Sequence, residues 1–213
     1  MNSKGNAWSE KMAQSYMKSN PDLYERWSHE YGVIFKAMER LWRRTGNRMY
    51  FNYIQRNIDK NINESGKIVR GYQVEEFKVD AINSGKALFA LFEITGDIRY
   101  KKVILTLADQ LRIQPRTKEG VFWHKLVYPY QIFLDGFYMW APFYAEYAEK
   151  FNESTIFDDI QTKLSLPQPI QRMSIPVFII RPGMKRRKYS GAINKQDARI
   201  VSGPAQTDGF QWQ

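Results

Sequence analysis

Cysteine is absent from the 213-residue chain. Disulfides, thiolate metal sites and cysteine nucleophiles are therefore excluded. Histidine is nearly as scarce, with only His29 and His124, too few to build a histidine-rich zinc centre. No apolar run approaches the roughly 18 residues that a membrane span needs. Residues 1–20 are polar and charged, without the apolar stretch of a secretory signal. These absences point to a soluble chain with no membrane partner. The expected compartment is the cytoplasm, or the periplasm should the true N-terminus lie upstream.

What is plentiful is apolar and aromatic material, 43% and 15% of the residues. That suffices to bury the core of one domain, or of part of a larger one, and excludes wholesale disorder. The net charge of +10 resembles a nucleic-acid footprint until it is located. Residues 1–164 carry 24 Lys+Arg against 20 Asp+Glu, whereas residues 165–213 carry 8 against 2. The only dense basic cluster, Lys185-Arg186-Arg187-Lys188, reads as a solvated run. No nucleic-acid partner is expected.

Apolar residues over the first three-quarters recur at spacings of three and four, as in Phe35, Met38, Leu41, Trp42 and again in Ala87, Leu88, Leu91, Phe92. This is the helical period. An internal repeat lies on top of it. Thr45-Gly46-Asn47-Arg48-Met49-Tyr50 recurs as Thr95-Gly96-Asp97-Ile98-Arg99-Tyr100, fifty residues on. In each copy the Gly is placed to end one helix in a left-handed conformation and Asn47 or Asp97 to cap the next, with the Tyr packed between them. Residues 150–153 form a weaker third copy. A helix-turn-helix period of this length predicts stacked α-hairpins, in a solenoid or a closed α/α toroid. Long aromatic and charged connections, notably residues 120–135, are where a site would sit at one end of such a stack. From Leu166 onward the repeat stops, five prolines fall within 39 residues, and Val177-Phe178-Ile179-Ile180 is strand-like.

The chemistry concentrates in Trp123-His124-Lys125, Tyr128-Pro129-Tyr130-Gln131 and Leu134-Asp135-Gly136-Phe137-Tyr138-Met139. Rings that can stack on a pyranose, beside a few polar groups, are the material of a sugar site. Lys125 would suit an acidic sugar. Asp135 lies in sequence among Phe133, Leu134, Phe137 and Tyr138, an apolar setting of the kind that tunes a carboxyl for general-acid work. The blander reading is that Asp135-Gly136 marks a helix boundary and the aromatics are core. From these residues alone the blander reading is favoured.

These segments resemble the unsaturated rhamnogalacturonyl hydrolases, glycoside hydrolase family 105, related to family 88. So do residues 8–17 with Asn20-Pro21, Leu41-Trp42 with Thr45-Gly46, Val79-Asp80-Ala81 and Gly85-Lys86. The resemblance runs in order from about Trp8 to Ile160. It implies an (α/α)6 toroid, of which about three hairpins are present, and an unsaturated oligosaccharide as substrate. It also implies removal of the 4,5-unsaturated galacturonyl residue from rhamnogalacturonan (pectin) fragments. One aspartic acid protonates the double bond at C4 and then takes a proton from the water that adds at C5; the resulting hemiketal opens and releases the aglycone. Ordinary glycosidases instead flank the anomeric carbon with two carboxylates. Asp135 matches that aspartate and Asp80 the second acidic residue. Trp27, His29, Trp123, His124, Lys125 and Gln131 match substrate-binding positions. The family usually shows Trp-x-Tyr where this chain has Trp27-Ser28-His29. No metal or other cofactor is implied.

The resemblance stops after Ile160, where the family continues with Tyr-His-x-Trp-Asp-Glu and Arg-Ser-x-Gly-Trp segments. Back-translating residues 173–213 with permitted codons and reading from each third base yields a peptide containing Trp-Asp-Glu and then Phe-Trp-Ala-Arg-Ser-Asn-Gly-Trp. The choice of third bases is free, but the other two are largely fixed. The expected organisation is therefore residues 1–164 as the N-terminal part of an (α/α)6 glycoside hydrolase domain. Residues 165–213 would be an irregular basic tail written out of frame by a frameshift near residues 161–172. The ancestral activity is more legible than that of the chain as it stands. Two alternatives are an unsaturated glucuronyl hydrolase of family 88, acting on glycosaminoglycan fragments, and a non-catalytic helical-repeat binding module.

Overall fold

The computed structural model describes residues 3–23, 26–164, 193–194 and 199–200. Its helices are α1 (Ser3–Ser19), α2 (His29–Thr45), α3 (Arg48–Asp59), α4 (Lys86–Thr95), α5 (Ile98–Ile113), α6 (Leu134–Phe151) and α7 (Thr155–Leu164). Ile193–Asn194 (β1) and Arg199–Ile200 (β2) pair antiparallel. The strand-like Val177-Phe178-Ile179-Ile180 lies outside the described residues.

The repeated turn folds as its residues dictate. Gly46 and Gly96 sit at φ 70° and 69°, and their N–H groups close on Trp42 O and Phe92 O. A glycine takes this left-handed conformation without the Cβ clash that penalises other residues. Thr45 and Thr95 each turn a hydroxyl back to the carbonyl four residues earlier, at 2.7 Å. Asn47 Oδ1 then accepts from Met49 N, and Asp97 Oδ1 from Arg99 N. Tyr50 and Tyr100 are both fully buried. The third copy holds as well: Asn152 replaces the glycine at φ 58°, and Ile156, four residues on, takes the tyrosine's buried place.

Three hairpins result, α2–α3, α4–α5 and α6–α7, with α2, α4 and α6 forming the inner layer. α4 explains this placement. Ala87, Leu88, Phe89, Ala90 and Leu91 are all buried, so the helix is apolar nearly all round and must be covered on every side. α5 has the narrower stripe of an outer helix: Val103, Ile104, Leu107, Ala108 and Leu111. Each large side chain so buried contributes about 2 kcal/mol. Phe89 meets Phe143 of α6 at 5.2 Å and Trp42 of α2 meets Phe51 of α3 at 5.0 Å between ring centroids. This is the arrangement of part of an (α/α)6 toroid.

The inner helices run the same way. At one end Arg43 of α2 and Lys150 of α6 both reach Glu93 of α4, at 3.7 and 3.5 Å. At the other end their N-termini come together with two long connections, residues 60–85 and 114–133. Each connection begins with a one-bridge turn, Ile62 to Ile68 and Arg116 to Phe122, tipped by a left-handed glycine, Gly66 or Gly120. The second turn is pinned to α7 by Arg116 on Asp159 and by the Lys163 ammonium over the Phe122 ring.

Candidate active site at the N-termini of the inner helices

The first connection enters α4 through a 3-10 helix, Val79–Gly85, carrying Asp80. It lies close under α2. A Cβ on Gly32 would stand 2.7 Å from the backbone of Asn83 and Ser84, so only glycine admits this approach. Two side chains of the 3-10 helix also bond the α2 entry: Ser84 Oγ to Ser28 O, and Asn83 Nδ2 to His29 O at 2.7 Å. Trp27 completes the joint. It is buried, and its indole N–H donates to Ala81 O at 2.6 Å. Trp27 thus supports the segment that bears Asp80 with the atom it would otherwise offer to solvent.

The second connection docks on the first through backbone hydrogen bonds, Val79 N to His124 O at 3.0 Å and Leu126 N to Glu76 O at 2.9 Å. Gln114 spans both, its amide donating to Phe77 O and Trp123 O. His124 N bonds Gln131 O at 2.7 Å, closing residues 124–131 into a loop. Around that loop the rings pack together: His124 stacks on Phe133 at 4.2 Å, Trp123 meets Tyr130 at a tilt at 4.6 Å, and the Lys125 ammonium lies over Tyr128 at 4.8 Å.

His124 is buried, and its Nε2 lies 3.4 Å from Asp80 Oδ2. Burial pushes the Asp80 carboxyl up. The hydrogen bond and charge of His124, with His29 and Lys78, outweigh it and hold the group below its ordinary value. Asp80 is therefore a fixed carboxylate at neutral pH. Asp135 stands in the first turn of α6, and here the structure corrects the sequence reading. The side chain is exposed, because Met139, Trp140 and Phe143 point to the core on the far side of the helix. The enclosing aromatic pocket expected around Asp135 is not formed by the described residues. The reading of Asp135-Gly136 as a helix boundary also describes where it sits.

The structure does bring the two acidic positions to one place. A Cβ on Gly136 would lie 3.6 Å from His124 Nδ1 and 3.5 Å from Val79 Cγ2. The neighbour of Asp135, the neighbour of Asp80 and the partner of Asp80 thus touch at a single point. His124 Nδ1 and Trp123 Nε1 are buried without a hydrogen-bond partner among the described residues. The N-termini of α2, α4 and α6 add their positive dipole ends to this surface, which favours an anion such as a uronic carboxylate. Among the described residues no group of three or more His, Asp or Glu is placed to hold a metal ion. The sequence names Lys86 only within the Gly85-Lys86 segment of the resemblance and gives it no role, its other signal being a single lysine that opens the apolar run Ala87-Leu88-Phe89-Ala90-Leu91.

Residues 8–171 match Glycosyl Hydrolase Family 88. In structure the chain is similar to a family 105 glycoside hydrolase from C. acetobutylicum ATCC 824, with a TM-score of 0.70 and 42% identity. The likeness covers 73% of this chain and 43% of that one. The chain spans less than half the length of this relative.

Proposed function

The chain belongs to Glycosyl Hydrolase Family 88, and from that premise we propose that its site serves removal of the 4,5-unsaturated galacturonyl residue from rhamnogalacturonan oligosaccharides. The observation that carries the proposal is the approach of Gly136, the neighbour of Asp135, to Val79, the neighbour of Asp80, and to His124, the partner of Asp80. In this reading the exposed Asp135 delivers its proton to C4 of the double bond. The cation left at C5 is captured by water, whose proton returns to Asp135, and the hemiketal opens to release the aglycone. Asp80, kept ionised by His124, holds sugar hydroxyls and steadies the cationic transition state. Lys125, with the dipole ends of α2, α4 and α6, holds the sugar carboxylate. Trp123, His29 and Gln131 would supply the remaining sugar contacts.

The match to family 88 also favours a second reading, an unsaturated glucuronyl hydrolase acting on glycosaminoglycan fragments. The two are separated by offering both unsaturated disaccharides and following the loss of ultraviolet absorbance from the conjugated double bond. Decay with the rhamnogalacturonan disaccharide alone supports the first reading, and decay with the glycosaminoglycan disaccharide alone replaces it.

We also propose that residues 165–213 are an out-of-frame tail. This is supported by the family motifs in their shifted reading and by a family match that ends at residue 171. The absorbance assay run on this chain and on a frame-restored version tests it. Activity confined to the restored version is expected. Full activity of residues 1–213 as they stand, or a resequenced gene with an uninterrupted frame to Gln213, overturns it.

A further inference from the structure

Lys86 opens α4 with its side chain buried, 3% exposed. An ammonium in such a place needs a partner, because removing it from water costs far more than a surface charge can recover. Its Nζ donates to the backbone carbonyl of Tyr138 at 2.5 Å and lies 3.7 Å from the centroid of the Tyr138 ring. That carbonyl is a particular one. In an α-helix the oxygen of residue 138 accepts from the N–H of residue 142, and residue 142 is Pro142, inside α6. Proline has no N–H to give, and its ring crowds the same carbonyl. A carbonyl left unpaired against the buried Lys86 would destabilise the turn that holds it.

We propose that Lys86 is a positioning residue, whose ammonium stands in for the N–H that Pro142 lacks and fixes the first turns of α6, with Asp135 on them, against the segment that carries Asp80. Lys86 follows the 3-10 helix bearing Asp80 directly, and Tyr138 lies one turn beyond Asp135. The bond therefore ties together the two elements whose carboxylates the reaction uses. Burial, reinforced by the charge of Lys36, pulls the Lys86 ammonium down from its ordinary 10.5 to about 8. The group can donate in either protonation state. The catalytic part of this assignment rests on the proposed function, and the replacement of the missing N–H does not.

The test is a mutant cycle on the chain as it exists, with Lys86→Met, Pro142→Ala and the double variant, read by amide hydrogen exchange over residues 134–141. Lys86→Met should speed exchange there by about tenfold, the effect of stranding one acceptor against an apolar side chain. Pro142→Ala restores the helical donor, so adding Lys86→Met to it should change exchange by less than about threefold. Should Lys86→Met fail to fold alone, folding of the double variant is the same rescue. Equal acceleration in both backgrounds, no acceleration in either, or failure of both to fold overturns the proposal. In whichever chain turns over substrate, Lys86→Met should lower kcat with KM unchanged, and Pro142→Ala should recover it. A kcat unmoved by Lys86→Met overturns the positioning role. A wild-type chain that turns over neither unsaturated disaccharide, with the exchange cycle intact, defeats the proposed function and leaves the Lys86 bond standing.

Discussion

The connection from α3 to α4 and the connection from α5 to α6 start alike and end differently. Both leave an outer helix, make a one-bridge turn tipped by a left-handed glycine, and return to the N-terminus of an inner helix. The first ends largely buried, over residues 79–85. The backbone of α2 presses on it at Gly32, Trp27 and Ser28 bond it, and the second connection lies over it. Its carboxylate, Asp80, is held by His124 and kept charged. The second connection has nothing described above it, and its carboxylate, Asp135, faces solvent. One scaffold repeated twice has thus produced one carboxylate that is held and kept ionised and one that is open to solvent. Burial separates the two more than residue type does.

The largest expected effect breaks this comparison at the chemistry. In the frame-restored protein Asp135→Asn should reduce kcat by about a thousandfold, the scale of a lost proton-transfer group, and Asp80→Asn by about a hundredfold. Steady-state kinetics on the unsaturated disaccharide, with circular dichroism to confirm intact helices, reads both. A greater loss from Asp80→Asn would exchange the two roles.

Next in size is the packing that holds Asp80. Gly32→Ala places a methyl group 2.7 Å from backbone atoms that have no rotamer to escape into. The protein should lose about 3 kcal/mol, measured as a fall in the urea midpoint of the chain as it stands. A midpoint within error of the wild type would mean that α2 and the Asp80 segment are not in this contact.

How much of this was legible beforehand depends on what kind of interaction carried each element. The hairpins were legible, because Thr-Gly-Asn/Asp turns and helical stripes are local signals, and the structure realises them down to the two Thr hydroxyls. The Asp80–His124 pair was not. Asp80 and His124 were matched one by one through a resemblance, and nothing in spacing says that two connections 44 residues apart will lie on each other through backbone bonds. The exposure of Asp135 agrees with the helix-boundary reading and not with the apolar setting its sequence neighbours suggest, because neighbours in sequence are not neighbours in space and a helix turns Met139, Trp140 and Phe143 away from it. Lys86 and Pro142 show the limit most clearly, since each is an oddity in its own helix and the two are linked only through the carbonyl of Tyr138.

His124→Phe sharpens the difference between the two carboxylates. Phenylalanine keeps a ring against Phe133 but removes the hydrogen bond and the charge of His124 that lower Asp80, leaving burial, the largest influence, opposed only by the charges of His29 and Lys78. The Asp80 carboxyl should then titrate above its ordinary value of 3.8. The sign of its linkage to stability reverses with it. In the wild type Asp80 adds stability above pH 3.8 that is lost as the pH falls through its lower folded value. In the variant the same residue should cost stability as the pH rises from 3.8. Carbon-13 NMR titration of the Asp80 carboxyl checks the direction, and an unchanged titration would release His124 from this role.

The smallest expected effect falls on the open side. A methyl group on Gly136 would meet Val79 Cγ2 at 3.5 Å and His124 Nδ1 at 3.6 Å, ordinary contact distances with nothing to displace. Gly136 also lies in the first turn of α6, where alanine is the better helix former. Gly136→Ala should therefore change stability by less than about 1 kcal/mol, in contrast to the same methyl group at Gly32. The two substitutions, made at the two ends of one site and read in the same urea series, measure how tightly each carboxylate's support is packed. Equal losses at both positions would mean that the Asp135 turn is clamped as firmly as the Asp80 segment, and the division between a held and an open carboxylate would fail.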